Sequence, residues 1–316
     1  MKILKINDFE QLFAEPLCAT IGFFDGVHTG HRFLIRQLKE WAKKTDTASA
    51  VITFSQHPRI TLKSEFCPGL LTTTDEKIEL LESQGIDYCF FLDFTPKIAG
   101  LTAEEFIRNI LSEKLNVNYL LIGYDHRFGK NRTEGFEDYR QYGERYGIKV
   151  IQAEELSKKD YSVSSTFIRD KIRDKEMEAV AQLLSYPYSL KGKVVHGDHI
   201  GQKIGFPTAN LRPEEDKIIP EIGIYAAWVY WKENRYPGMA YIGSRPTVTS
   251  EKEIRVEVHI IGFFGDLYGQ VIRLEFIKFL REDQRFPSLE ILKKQLERDK
   301  EEAIVALTLS HVVGYD

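Results

Sequence analysis

Cysteine is scarce in this 316-residue chain: Cys18, Cys67 and Cys89 are the complete set. No two of them form a Cys-x-x-Cys pair and their number is odd, which argues against a disulfide framework and against a zinc knuckle. No apolar run approaches the length of a membrane-spanning helix. The opening Met1-Lys2-Ile3-Leu4-Lys5 does not have the form of a signal peptide, so a reducing cytoplasm is the expected location. An excess of positive charge is also missing. With 43 Lys and Arg against 47 Asp and Glu, the formal net charge is −4, which speaks against a general nucleic-acid or membrane surface but allows a local basic pocket. Internal repeats and low-complexity tracts are absent.

What remains is the composition of an ordinary globular protein, 43% hydrophobic and 28% charged, long enough for about two domains. In the first half, apolar strand candidates at 17–24, 50–54, 88–92, 119–123 and 149–153 alternate with helical patterns at 31–44, 75–83, 103–114 and 136–146. Short continuous apolar runs are expected of a parallel sheet covered on both faces. This half therefore predicts a doubly wound α/β domain with ligands at the carboxyl ends of its strands. A helical segment from about Ser165 is expected to end before Pro187. Beyond it the chain turns to Gly, Tyr and β-branched residues in period two. Ile254, Val256, Val258 and Ile260 face one way, and Arg255, Glu257 and His259 the other. Six strand candidates (190–196, 209–211, 223–230, 239–242, 254–261 and 271–280) and a helix from about Leu289 predict a small antiparallel β-barrel with a terminal helix. The expected domains are 1–184 and 187–316.

One stretch dominates the first half: Gly22-Phe-Phe-Asp-Gly-Val-His-Thr-Gly-His31. It joins an apolar strand to an amphipathic helix, the setting in which backbone N–H groups and a helix N-terminus cradle an anion. Glycines allow close approach of a phosphate, and His28 and His31 can add donors or positive charge. With 8 His and 22 Gly in the chain, His-x-Gly-His is expected by chance only about 0.01 times. A metal would need a third ligand of suitable type, and none beyond Asp25 is near in sequence. The plainer alternative is that the histidines cap the helix. The nucleotide-phosphate reading is preferred.

Two further segments bear on it. Gly123-Tyr-Asp-His-Arg-Phe-Gly-Lys-Asn-Arg132 gathers Arg127, Lys130 and Arg132 at a strand end. It is not a Walker A loop, having one residue too many between its glycines and Asn131 in place of Ser or Thr, and a solvated basic loop is the plain alternative. Ser164-Ser-Thr166 opens a helix, where hydroxyls serve as N-caps. The same helix start, with Arg169 one turn on, also suits phosphates. In the second half, Thr208 and Asn210 of Gly205-Phe-Pro-Thr-Ala-Asn210 offer two neutral oxygens to a Mg²⁺ ion, or else bond their own turn. By residue type alone, Glu257 reads as a solvent-facing strand residue.

Taken together, Gly22–His31, His57, Gly123–Arg132 and Val163-Ser-Ser-Thr-Phe-Ile-Arg169 resemble the N-terminal module of the bacterial bifunctional riboflavin kinase/FAD synthetases, which belongs to the HxGH nucleotidylyltransferases. The second half carries Gly205–Asn210, Gly223-Ile-Tyr225, Ile242-Gly-Ser-Arg-Pro-Thr247, Val256-Glu-Val-His259, Asp266-Leu-Tyr-Gly269 and Leu280-Arg281, in the order found in riboflavin kinase modules. The resemblance spans nearly the whole chain and implies two ATP-dependent steps, riboflavin to FMN and then FMN to FAD, with Mg²⁺ at both. It implies that His28 and His31 are the catalytic pair of adenylyl transfer. Gly22, Phe24, Asp25, His57, Asp125, Arg132, Ser164, Ser165, Thr166 and Arg169 would contact ATP or its phosphates, and Phe128 the flavin. In the kinase module it implies Glu257 as catalytic base and Thr208 and Asn210 as Mg²⁺–ATP residues. Lys203 and Gly205 would lie at the nucleotide and Arg281 at the flavin.

Four positions depart from the commonest pattern: Phe23 for Asn, His126 for Phe, Gln202 for Arg and Gly262 for Asp. They bear on affinity more than on the reaction. The expected partners are riboflavin, FMN and ATP, with neither nucleic acid nor membrane, and the oligomeric state is left open. Two rival readings are an HxGH transferase for another phosphorylated small molecule, whose second domain only binds flavin, and a flavin or nucleotide sensor. Retention of His28, His31 and Glu257 speaks against the sensor.

Overall fold

The computed structural model describes residues 1–6, 13–55, 69–124, 126–130, 132–156, 163–197, 200–246 and 252–310. His57, Cys67 and Asp125 lie outside them. Two compact units emerge from the contacts, one of Met1–Pro68 with Thr74–Ser164 and one of Gly69–Thr73 with Ser165–Asp316.

The first unit is built on a parallel sheet of β1 (Lys2–Lys5), β2 (Leu17–Ile21), β3 (Ala48–Phe54), β4 (Tyr88–Leu92), β5 (Val117–Ile122) and β6 (Lys149–Gln152), in the order β1-β4-β3-β2-β5-β6. Its helices are α1 (Thr29–Thr45), α2 (Thr74–Glu82), α3 (Pro96–Ala99), α4 (Ala103–Phe106) continued by a π-helical stretch Ile107–Ser112, and α5 (Phe136–Arg145). Residues of β2 to β4 alternate between two cores. Leu17, Ala19, Ala50, Ile52, Phe90 and Leu92 pack with the α4 side, while Cys18, Val51, Cys89 and Phe91 pack with Ile35, Leu38 and Ala42 of α1. Period-two alternation with both faces apolar is why these strands read as unbroken runs, and the doubly wound expectation holds. The edge strand β1, four residues paired to β4, has no counterpart in the sequence reading because three of its residues are exposed or charged.

Strands β2, β3 and β4 step across the sheet in one direction, and β5 then returns to the other side of β2. The order therefore reverses between β2 and β5, where ligands of such sheets bind. Gly22–His31 follows β2 and Gly123–Arg132 follows β5, so topology brings both motifs to that point. The strand expected at 17–24 ends at Ile21, and the helix expected from 31 begins at Thr29. His28 is thereby the cap and His31 lies in the first turn.

In the second unit, the single helical segment expected from Ser165 is two helices, α6 (Ser165–Arg173) and α7 (Met177–Leu184), the latter stopped by Ser185 in the left-handed region. Then come β7 (Ser189–Val195), a turn of helix α8 (Ile200–Lys203), β8 (Ala209–Pro213), β9 (Gly223–Trp231), β10 (Asn234–Pro246), β11 (Lys252–Ile260), β12 (Val271–Arg281) and α9 (Leu289–Ser310). The six strands close an antiparallel barrel in the order β10-β11-β8-β7-β12-β9. Ala303, Ala306 and Leu307 of α9 bury against Phe206, Ala226, Met239 and Ile277. Closure removes the unpaired strand edges. The barrel with a terminal helix is as expected, although β10 is far longer than the four residues predicted for it.

Candidate active sites

The Gly22–His31 turn holds a run of unusual backbone. Phe24, Gly26 and Val27 have φ of 55°, 81° and 35°. Two of these carry side chains in a region that costs them energy, a conformation kept only where the surroundings enforce it. The Gly22 N–H donates to Ile52 O at 3.1 Å, and Val27 N–H to Phe24 O at 3.2 Å. Arg32 Nε closes the turn on Val27 O at 3.1 Å. Phe24 and Asp25 are buried. A side chain at Gly22 would press on the Phe24 ring, and one at Gly30 would stand 3.2 Å from His28 Nδ1.

His28 caps α1: its Nδ1 accepts the His31 N–H at 3.3 Å. A ring nitrogen that accepts a hydrogen bond carries no proton, so the His28 proton sits on Nε2 as a donor. The two imidazoles stack with centroids 3.6 Å apart and planes 18° apart. The His31 Nδ1 is buried and has no hydrogen-bond partner among the described residues. Burial, followed by the fields of His28, His126 and Lys77, holds the His31 ring well below the ordinary histidine range. Of the two contributions the sequence allowed, donors or positive charge, burial disfavours the second for His31. The cap uses Nδ1 of His28, so capping does not by itself exclude the phosphate reading of this turn.

Around this turn, the Val163 carbonyl lies 3.5 Å from where a Gly30 Cβ would stand, so the chain just before exposed Ser164 passes the start of α1. Ser165, Thr166 and Arg169 begin the second unit on α6, and the buried Arg169 donates from Nε to Gly69 O at 2.7 Å. The loop after β5 is pinned through its main chain. Gly129 has φ 91° and a Cβ there would stand 2.7 Å from Ala103 N, while Lys130 N–H donates to Leu101 O at 2.9 Å. Phe128 stacks on Tyr139 with centroids 4.3 Å apart, with the His126 ring at 6.2 Å and Phe106 edge-on at 5.6 Å. Exposed Arg132 donates from Nε to Arg127 O at 3.2 Å.

Sequence reasoning missed Lys77. It is buried on α2, and no local pattern distinguishes it from the charged neighbours that face solvent.

In the barrel, antiparallel register sets Glu257 of β11 opposite Asn210 of β8 on one side and Tyr241 of β10 on the other. The Thr208 hydroxyl donates to Glu257 Oε2 at 3.0 Å, and Arg255 Nη1 lies 3.9 Å from Oε1. The Tyr241 hydroxyl donates to Asp283 at 3.2 Å. Burial first, then Asp283, pushes its phenol up to about 12, so it remains a donor. Two residues from Glu257 on the same face, His259 bonds Pro207 O through Nδ1 at 2.9 Å, tying β11 to the loop that carries Thr208. Burial lowers its pKa. The i+2 spacing from Glu257 was a signal for His259 that residue type alone did not reveal.

Two cavities meet at Thr208. One of about 600 Å³ is mainly apolar and is lined by Phe206, Tyr241, Glu257, Arg281 and Leu292 among others. The second, of about 320 Å³, is lined by Gln202, Pro207, Thr208, Asp266 and Tyr268 among others. Arg281 is held in the wall of the first by Asp299, with Nε and Nη2 donating to its carboxylate at 2.8 and 2.7 Å. Gly205, at φ 85°, turns the chain after α8. Lys203 is exposed and lines neither cavity. A side chain at Gly197 would overlap the Asn210 amide, so glycine there leaves room for it.

Residues 11–167 match the family model for FAD synthetase, and residues 184–307 that for riboflavin kinase. The chain is 37% identical to the bifunctional riboflavin kinase/FMN adenylyltransferase of Escherichia coli K12, over 95% of this chain and 96% of that one. The protein of the same description from Listeria monocytogenes is 34% identical over 89% and 90%. The crystal structure of a macrolide-efflux protein from Streptococcus pneumoniae superposes with a TM-score of 0.85 at 29% identity, covering 95% of this chain and 97% of that one. No helix among the described residues here is long and apolar enough to cross a membrane. Two family models in tandem and relatives matched end to end lead to one assignment: the chain belongs to the bifunctional riboflavin kinase/FMN adenylyltransferases.

Proposed function

We propose that residues 187–316 phosphorylate riboflavin and that residues 1–184 then adenylylate the FMN produced, each step consuming ATP. The observation that carries the first assignment is Thr208, which bonds Glu257 in the flavin-sized cavity and also lines the smaller one. Riboflavin in the larger cavity would present its 5′-hydroxyl to Glu257. That oxygen attacks the γ-phosphorus of ATP in the smaller cavity as the carboxylate takes its proton. The γ-phosphorus–oxygen bond to the β-phosphate breaks, and ADP leaves.

The residues present fit a Mg²⁺ ion. Thr208 keeps oxygen lone pairs while its proton is held by Glu257, Asn210 is admitted by the missing side chain at Gly197, and hard oxygen donors suit that ion. Thr208 and Asn210 would hold it, and when bound it would offset charge on the transferring phosphates.

For adenylyl transfer, an FMN phosphate oxygen attacks the α-phosphorus of ATP and the bond to the β-phosphate oxygen breaks, releasing pyrophosphate. No base is needed because the nucleophile is already ionised. The chain's task is in-line positioning and stabilisation of charge. His28 Nε2–H and His31 act as donors at the start of α1, with Gly22, Phe24 and Asp25 shaping the turn. Asp125, His57, Arg132, Ser164, Ser165, Thr166 and Arg169 would serve ATP or its phosphates, and Phe128 the flavin ring. Lys203 and Gly205 would serve ATP in the kinase site, and Arg281 the flavin there. Small molecules are then the partners, and the cytoplasm, where ATP is available, is the location.

The test is a time course with riboflavin, ATP and Mg²⁺, resolved by chromatography. Wild type should give FMN and then FAD. His28→Ala should stop at FMN, and Glu257→Gln should make no FMN yet convert supplied FMN to FAD. Loss of both steps in either folded variant would overturn the two-site assignment.

A further inference from the structure

We propose that Lys77, buried beneath the Gly22–His31 turn, is a positioning residue of adenylyl transfer, clamping that turn to the end of β3 and supplying the fixed positive charge that the paired histidines do not. This inference rests on the assignment of adenylyl transfer to the first unit.

Lys77 is 3% exposed. Its ammonium donates to Phe23 O at 3.3 Å, Thr53 Oγ1 at 3.4 Å and Phe54 O at 3.1 Å, so all three protons have acceptors. Phe54 is the last residue of β3 and Phe23 the second of the turn. The same Phe23 carbonyl accepts the Thr53 hydroxyl at 3.1 Å, immediately before the positive-φ run begins at Phe24. A strained turn of this kind keeps its shape only when anchored, and Lys77 with Thr53 anchors it at Phe23. The cation also lies 4.3 Å from the Phe23 ring centroid. The position that departs from the usual Asn is therefore the one the amine packs against.

A neutral side chain could fill this space without the cost of burying an ammonium, so the charge itself calls for a role. His31 is kept uncharged by its surroundings, and His28 presents Nε2–H through a ring whose other nitrogen is an acceptor. Charge building on the α-phosphate and the leaving pyrophosphate needs a preorganised positive field in a poorly solvated site. Lys77 faces Asp25 from the turn, His31 from α1 and Cys89 from β4. Burial pulls the amine down to about 8, opposed by Asp25 and Cys89. The Cys89 thiol, itself pushed to about 12 by burial, stays protonated across that range.

The experiment is the pH profile, from 6.5 to 9.5, of kcat/KM for FAD formation from FMN and ATP in the intact chain. The second ionisation of a substrate phosphate has its midpoint near pH 6, so it is largely complete above about pH 7 and cannot cause a loss of activity near pH 8. Wild type should lose activity through an ionisation near pH 8, while FMN formation in the same preparation does not follow that curve. Lys77→Met, which keeps the stem, should slow FAD formation by ten- to a hundredfold, mainly in kcat, and its residual activity should lack the alkaline limb. Lys77→Arg should recover much of the rate with the limb moved out of range. A wild-type profile flat through pH 9 overturns the proposal whatever the variants do. So does a Lys77→Met enzyme within twofold of wild type, or one whose residual activity keeps the limb. Wild type making no FAD at all would instead remove the parent assignment.

Discussion

The backbone N–H of His31 donates to Nδ1 of His28 at 3.3 Å, so the cap that starts α1 also dictates which nitrogen of His28 carries the proton. Structural and chemical roles can therefore be separated by substitution. Asn is among the best N-caps and Ala among the poor ones. His28→Asn should leave thermal stability near wild type, while His28→Ala should cost about 1 kcal/mol. Both should reduce FAD formation from FMN by at least about a hundredfold, as expected when a charge-stabilising donor is removed. Paired melting curves and FAD time courses check this.

His31 makes stability depend on acid. Its folded pKa lies well below the ordinary 6.5, so between those values the unfolded chain binds a proton that the folded chain does not. Stability is then lost as pH falls below about 6.5, with a slope of at most about 1.4 kcal/mol per pH unit for one proton. His31→Gln removes this linkage. Denaturant unfolding of the first unit at pH 7.5, 6 and 5 should show wild type losing its margin over the variant as pH drops.

Gly197 and Asn210 give a test of the proposed Mg²⁺–ATP residues that leaves the ligands themselves in place. A Cβ at 197 overlaps the Asn210 amide, so Gly197→Ala must displace it. The KM for Mg²⁺–ATP in FMN formation should rise roughly fivefold, the equivalent of about 1 kcal/mol, with conversion of supplied FMN to FAD unaffected. Mg²⁺ titrations of both activities check it.

Asp299 is 1% exposed and holds the Arg281 guanidinium through two nitrogens. Removing one partner of a buried pair strands the other, so Asp299→Ala should lower the stability of the second unit by about 3 kcal/mol and raise the KM for riboflavin. Replacing both, as Arg281→Met with Asp299→Leu, should recover much of the stability without recovering flavin affinity. Differential scanning calorimetry alongside riboflavin kinetics separates the two effects.

How far the site was legible follows the range of the interactions involved. The Gly22–His31 turn was visible because strand, glycines and helix are contiguous and each has its own local pattern. Glu257 and His259 shared a face by strand alternation, which is equally local. The Thr208–Glu257 bond joins residues 49 apart, and the Arg281–Asp299 pair joins β12 to α9. Neither leaves a trace in any window of a dozen residues. The same holds for β1, whose charged four-residue stretch becomes a strand only because β4 offers it an edge.

The order of hydrophobic and polar residues by itself determined two architectures in tandem, the strand-end positions of the phosphate motifs, and the residue types available for chemistry. Tertiary structure decided their electrical state and their pairing. Lys77 is written among charged helix neighbours, and the fold alone buries it under Phe23. His31 reads as a switchable cation, but the packed turn holds it neutral. Periodicity is set by the backbone repeat over a few residues. Burial, dielectric and register depend on which strands lie side by side, and strand order arises only when the whole chain is folded.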